Sequence, residues 1–308
     1  MNKWLASSAL AVLATVALMV AQEPPAQQDP PKEGGKGGKG GKGGKGGFGG
    51  GAAKAKAPAG PFTRLPDGHP DMQGFWNAAN NGGAVFEVQN HPIAKRGVGA
   101  GKGAVVDPPD GFIPYQPWAK QKAAELFESH MDQEPELHCF QSGVPHQNFV
   151  QFGFQITQTA AHMVMAWEFM HSYRIIPTDG RPHIAEGIHL FQGDSVGHWE
   201  GDTLVVDTTN SNDKTWMDTS GNFKSDKVHV VERLSPVDAN TINYEATIDD
   251  ATVYTRPWKI AYQFTKVLTP NYEQMEFGCI EGNQDVTHYT EDVGGKSKVV
   301  IKPPAGKE

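Results

Sequence analysis

The 308-residue chain is short of several things at once. It has two cysteines, no CxxC pair, no HExxH and no closely spaced pair of histidines, so neither a thiolate zinc site nor a metalloprotease-type centre is expected. No apolar run reaches the ~20 residues that a membrane-spanning helix needs. The longest, Leu5 to Ala21, is Ala-rich and small-sided. Positive charge is scarce where the chain can fold. Of 27 Lys/Arg and 35 Asp/Glu, eight bases but only three acids precede residue 61, which leaves 19 against 32 beyond it. A domain this acidic is a poor match for phosphate backbones, so nucleic acid is not expected as a partner.

What is present falls into three parts. Residues 1–21, with Lys3 ahead of the apolar stretch, read as a secretory signal cleaved near Ala21, which predicts a secreted or periplasmic location. Residues 22–60 are of low complexity, and Gly34 to Gly51 repeats Gly-Gly-Lys with almost nothing to bury. Such a segment cannot offset its ordering entropy, so a disordered tether is expected, its lysines weakly attracted to anionic envelope surfaces. Residues 61–308 are ample for a single β-rich domain, loop-rich with one helix to residue 148 and a strand meander over 149–290. Cys139 and Cys279 form a natural disulfide in an exported protein, and closing so long a loop is worth ~4 kcal/mol in the chain-entropy model.

Periodicity assigns the elements. Pro117 sits at a helix start, and Trp118, Ala119, Ala123, Leu126 and Phe127 recur at helical spacing through His130. Beyond Phe149 the pattern alternates. Met163, Met165, Trp167 and Phe169 share one face, as do Leu204, Val206 and Thr208. Ile242, Tyr244, Ala246 and Ile248 form another such face, as do Trp258, Ile260, Tyr262 and Phe264, and Glu273 to Ile280 reads as a further strand. Asp179-Gly180, Glu200-Gly201-Asp202 and Asp249-Asp250 supply turns. Short strands with one apolar and one polar face predict a mostly all-β, antiparallel sheet that curls or closes. Gly74-Phe75-Trp76 resembles the Gly-x-Trp opening of lipocalin-type barrels. The expected fold is therefore a calycin-like barrel or half-open β-sandwich with one short N-terminal helix.

Seven segments are similar to a broad family of secreted bacterial proteins of undescribed function. They are DGHPDMQGFW (67–76), IIPTDGRPH (175–183), GDSVGHWEGDTLVVDTT (193–209), NDKTW (212–216), HVVERL (229–234), YTRPW (254–258) and CIEGN (279–283). Together they span most of 62–290. The resemblance implies export and a β-rich domain, and it assigns no catalytic residue.

Candidate chemistry rests on the residues themselves. On Val228 to Leu234, Glu232 shares its face with Val228, Val230 and Leu234, which puts a carboxylate on the apolar side. A buried carboxylate must be paired or protonated, and Arg174, Arg233 or Arg256 supplies the counter-charge. Such a pair either closes the barrel or serves as a general acid/base or ligand anchor. Asn212, Asp213 and Trp216 form a polar and aromatic cluster after a strand, and Tyr254, Arg256 and Trp258 form a second. Twelve histidines, His171, His183, His198 and His229 among them, give no ligand pair, so no metal and no cofactor is expected. Gly193-Asp194-Ser195, Asn212-Asp213 and Asp285-x-x-His288 echo the blocks of GDSL-type esterases. Here the Ser block lies mid-chain and runs into a strand, so a Ser hydrolase is not expected. Gly97 to Gly103 lacks the Gly and Ser/Thr positions of a phosphate-binding loop.

The leading expectation is an exported barrel that binds a small, partly apolar molecule in its interior. His171, Arg174, Asn212, Asp213, Trp216, His229, Glu232, Tyr254, Arg256 and Trp258 are the ligand-facing candidates. Two other readings stay open. One is a hydrolase, lyase or isomerase using Glu232 with a His or Arg, and the other is an envelope protein held at a surface by its basic tether.

Overall fold

Among the described residues the chain forms ten strands and one α-helix. The computed structural model describes residues 60–79, 87–90, 103–150, 152–284 and 286–287, all within one compact unit, Ala52–Glu308. The signal segment 1–21, the tether up to residue 59, residues 97–102 of the glycine loop, and Asp285 and His288 lie outside the described residues. In chain order the elements are β1 (Gly74–Ala79), β2 (Val105–Asp107), α1 (Pro117–Ser129), β3 (Phe154–Gln158), β4 (His162–Trp167) and β5 (Tyr173–Pro177). There follow β6 (Asp194–Glu200), β7 (Thr203–Thr209), β8 (His229–Asp238), β9 (Thr241–Asp249) and β10 (Trp258–Lys266).

The strands form one antiparallel sheet in the order β5-β4-β3-β1-β10-β9-β8-β7-β6, with β2 laid beside β10. Its two ends, β5 and β6, come together, so the sheet curls into a nearly closed barrel of the expected calycin-like type. Gly197 on β6 lets the ends approach: a Cβ there would stand 3.0 Å from Ile176 Cγ2 of β5.

Every second side chain of β4 and β9, of β8 as far as Leu234 and of β10 as far as Phe264 is buried, as a pleated strand around a core requires. The interior is a chain of touching rings. Phe154 meets Phe264 at 4.8 Å between centroids, Tyr244 meets Tyr262 at 4.8 Å and Phe264 at 5.0 Å, and Phe149 abuts Tyr262 at 5.9 Å. Each large apolar side chain buried this way contributes about 1.5–3 kcal/mol relative to exposure. The described interior residues thus pack on one another.

Outside the barrel, α1 buries Ala119, Ala123 and Leu126. It has no side-chain N-cap; Gln116 instead donates from Nε2 to the Tyr254 carbonyl, 3.1 Å away. Gly221, at φ +78°, receives the helix so closely that a Cβ would lie 2.8 Å from the Ala123 carbonyl oxygen.

Two expectations need correction. Residues 273–280 form no strand: Met275 is 70% exposed and Ile280 82%. The segment is pinned across the end of β4, with Gln274 Nε2 donating to the Ala166 carbonyl and the Phe277 amide to His171 Nε2. Its apolar content is used in a ring cluster, Phe277 with Phe169 and Phe152, rather than in a ladder. Phe169 itself falls in a 3-10 turn, Phe169–His171, because Met170 turns to φ 58° and ends the strand at Trp167. The expected disulfide is present: Cys139 and Cys279 are bonded, with Cα atoms 5.7 Å apart.

Candidate functional site

The predicted site residues divide into three places. Inside the barrel, Glu232 is completely buried and its counter-charge is Arg174. Arg174 projects inward from β5 and joins four strands. Its Nε donates to Ser195 Oγ of β6 at 2.8 Å, one Nη to Thr208 Oγ1 of β7 at 2.7 Å, and both Nη atoms to the Glu232 carboxylate of β8. Glu232 Oε1 also accepts from Asn148 Nδ2 at 2.7 Å and from the Tyr244 hydroxyl at 2.9 Å. Burial pushes the Tyr244 hydroxyl well up from its ordinary pKa, so it remains a donor. Both oxygens of Glu232 are thus taken by protein donors, and the arrangement fastens the sheet's two ends. Ser195 serves this network and not a nucleophilic triad. Trp258, also fully buried, belongs to the core around it.

A second set lies on the outer surface. His171 is exposed and accepts from the Phe277 amide. His229 sits beside Asp207, Nε2 to Oδ2 2.9 Å, while His183 spans Asp207 and Asp194. Arg256 forms a bidentate pair with Asp107 that clamps β2. These side chains do not converge with Glu232, because each occupies an outward position of its strand or lies in a turn beyond it.

The third set surrounds a hollow of 230 Å³ between α1 and the segment 213–225. Helical spacing puts Trp118, Lys122 and Leu126 along one flank of α1. Trp216 and Phe223, joined by an isolated antiparallel bridge, form the facing wall, and Asp213 lies at its exposed rim. Tyr254, predicted as a ligand residue, stands behind the wall: its hydroxyl donates to the Phe223 carbonyl at 2.9 Å. Asn212 contributes its backbone oxygen, which accepts from Lys224 Nζ at 2.7 Å.

Lys224 was not foreseen. It is 2% exposed yet lines the hollow, and Asn212 O is the hydrogen-bond partner of its Nζ among the described residues. Burial draws its pKa from 10.5 down to about 8; Asp213, Asp250 and Asp226 oppose that without reversing it. Lys122 Nζ lies 4.4 Å from the Phe223 ring centroid, a cation–π contact on the same wall. The hollow therefore offers aromatic faces, one buried amine and one exposed ammonium. A second hollow of 310 Å³ lies along the other flank of α1, lined by Phe112, Tyr115, Ala124, Phe127 and Asn222 among others.

Two buried carboxyls nearby give the fold a pH dependence. Burial, and then neighbouring Glu136, push Glu134 up to about 8; burial and Glu87 push Asp218 well up too. The native state keeps a proton that the unfolded chain releases near 4.5, so stability falls as pH rises from about 4.5 to about 8. Glu134→Gln is expected to flatten much of that slope, Asp218 retaining the rest, and to raise the melting temperature at pH 8 relative to wild type. Thermal melts of both proteins at pH 5 and pH 8 check this. Parallel slopes would contradict it.

No family model matches the chain, and no curated protein matches it. Among solved structures it is similar to the crystal structure of the fluorescent protein UnaG, N57A mutant, at 14% identity and a TM-score of 0.24, covering 46% of this chain and 90% of that one. At that score the two share too little for the likeness to add to the strand topology.

Proposed function

We propose that the chain is an exported barrel that binds a small anion with a flat apolar body, and that the binding site is the hollow beside Lys224 rather than the barrel interior. The carrying observation is a buried lysine, Lys224, 2% exposed, lining a hollow walled by Trp118, Trp216 and Phe223. Lys224 Nζ makes no contact ion pair among the described residues, the carboxylates of Asp213, Asp226 and Asp250 acting on it from beyond salt-bridge distance, and an anionic ligand would supply that pair. Ring faces on two walls suit a planar body, and the volume suits a molecule of about one ring. Clefts with apolar walls and a few convergent polar groups are the ordinary form of small-molecule sites. Export is supported by the leader-like start and by the cystine, which persists in oxidising compartments.

The test is a titration of the full chain with benzoate, followed by the fluorescence of Trp118 and Trp216. Saturable quenching is expected. Lys224→Met should weaken it about 10- to 100-fold, the worth of one charge-assisted hydrogen bond. Unchanged affinity in that variant, or no saturation in wild type, would refute the reading.

A further inference from the structure

We propose that Lys224 captures its ligand covalently: its amine condenses with the carbonyl of a small aromatic aldehyde seated between Trp118, Trp216 and Phe223, while Lys122 receives a carboxylate on the same ring. This rests on reading the hollow as a small-molecule site and names the ligand class. Three features of the site carry it. Lys224 is buried and lines the hollow, so a carbonyl seated there would meet its side chain away from bulk water. Its hydrogen bond is to a backbone carbonyl, Asn212 O, which a neutral amine keeps with one N–H while its lone pair stays free for attack. Lys122, on another wall of the same hollow, is a second cation that gives the ring a preferred direction.

The step balances without an outside reagent. The ammonium first gives one proton to solvent past Asp213 at the rim. Nζ then adds to the carbonyl carbon and forms the C–N bond. The carbonyl oxygen leaves as water with the two remaining amine hydrogens, and the C=N double bond remains. The charged groups around Nζ are Asp213, Asp226, Asp250 and Lys122. Burial outweighs the three carboxylates and holds the amine near pKa 8, so at pH 7 its neutral fraction exceeds that of a solvent-exposed lysine by about two orders of magnitude.

The experiment incubates the full chain with 4-formylbenzoate and sodium cyanoborohydride, which reduces the imine to a stable amine, and maps labelled lysines by peptide mass spectrometry. The expected result is labelling of Lys224 at least tenfold faster than exposed Lys227, with a rate that rises to about pH 8 and then levels, and protection by excess benzoate. Lys224→Met should lose the fast label. Protection by benzoate in wild type makes the test independent of how that variant folds. Labelling of Lys224 no faster than Lys227, with benzoate still binding saturably, would overturn covalent capture and leave the binding reading intact. Absence of both the fast label and benzoate saturation would overturn both.

Discussion

Arg174→Met is expected to lower the unfolding free energy by about 3–5 kcal/mol, the usual cost of leaving one member of a buried ion pair alone. The loss has a local origin. Glu232 would keep its donors from Asn148 and Tyr244 but lose its one cationic partner among the described residues, at zero exposure. Ser195 and Thr208 would lose their link to β5 in the same stroke. The double change Arg174→Met/Glu232→Leu should recover most of the loss, because matched apolar side chains often replace a buried pair without penalty. Urea unfolding of the wild type, the single variant and the double variant checks both statements. A single variant within about 1 kcal/mol of wild type would show that the pair does not hold the barrel's ends together.

Replacing both cysteines by serine is expected to have an effect of similar size. The bond joins residues 140 apart, and in the chain-entropy model a loop of that length restricts the unfolded ensemble by about 4–5 kcal/mol. The native side loses less, since the tail keeps the hydrogen bonds of Gln274, Phe277 and Asn283. Denaturant midpoints with and without a reductant, alongside the Cys139→Ser/Cys279→Ser variant, provide the measurement. Equal midpoints would mean that the tail detaches without consequence for the barrel. In the variant, cleavage should begin at the exposed side of that tail, near Met275 and Ile280.

Much of the barrel was legible because its strands alternate in chemistry as well as in geometry. β9 puts aliphatic or aromatic residues inside and polar ones outside, β10 does so except at Ala261, β4 has an apolar inward face, β7 breaks the inward pattern only at Thr208, and the phase of β8 alone placed Glu232 in the core. β5 inverts that code. Its inward residues are Arg174 and Ile176 while Tyr173 and Ile175 stand 64% and 51% exposed, so at Arg174 hydrophobicity points the wrong way and only the buried partner reveals it. The tail 273–280 misled for the opposite reason: it alternates but has no neighbouring strand to pair with. Of the candidate site, Asn212, Asp213, Trp216 and Tyr254 were legible as polar and aromatic clusters. Lys224 was not, since a lysine in a polar loop is ordinarily solvated, and here its segment is held by contacts of Gly221 and Phe223 with α1, a hundred residues earlier in the chain.

The strand order also fixes when the molecule can become itself. β3 to β5 and β6 to β10 are runs of neighbours that pair with the next strand in the chain, so each can assemble as it leaves the ribosome. β1 is different: it is laid between β3 and β10. The earliest described strand can pair with β3 through Trp76 and Phe154, but its other edge stays open until β10, the latest, is made. Closing this seam of the barrel thus joins the first and the last of the described strands, a pairing of high sequence separation that local contacts alone cannot bring about.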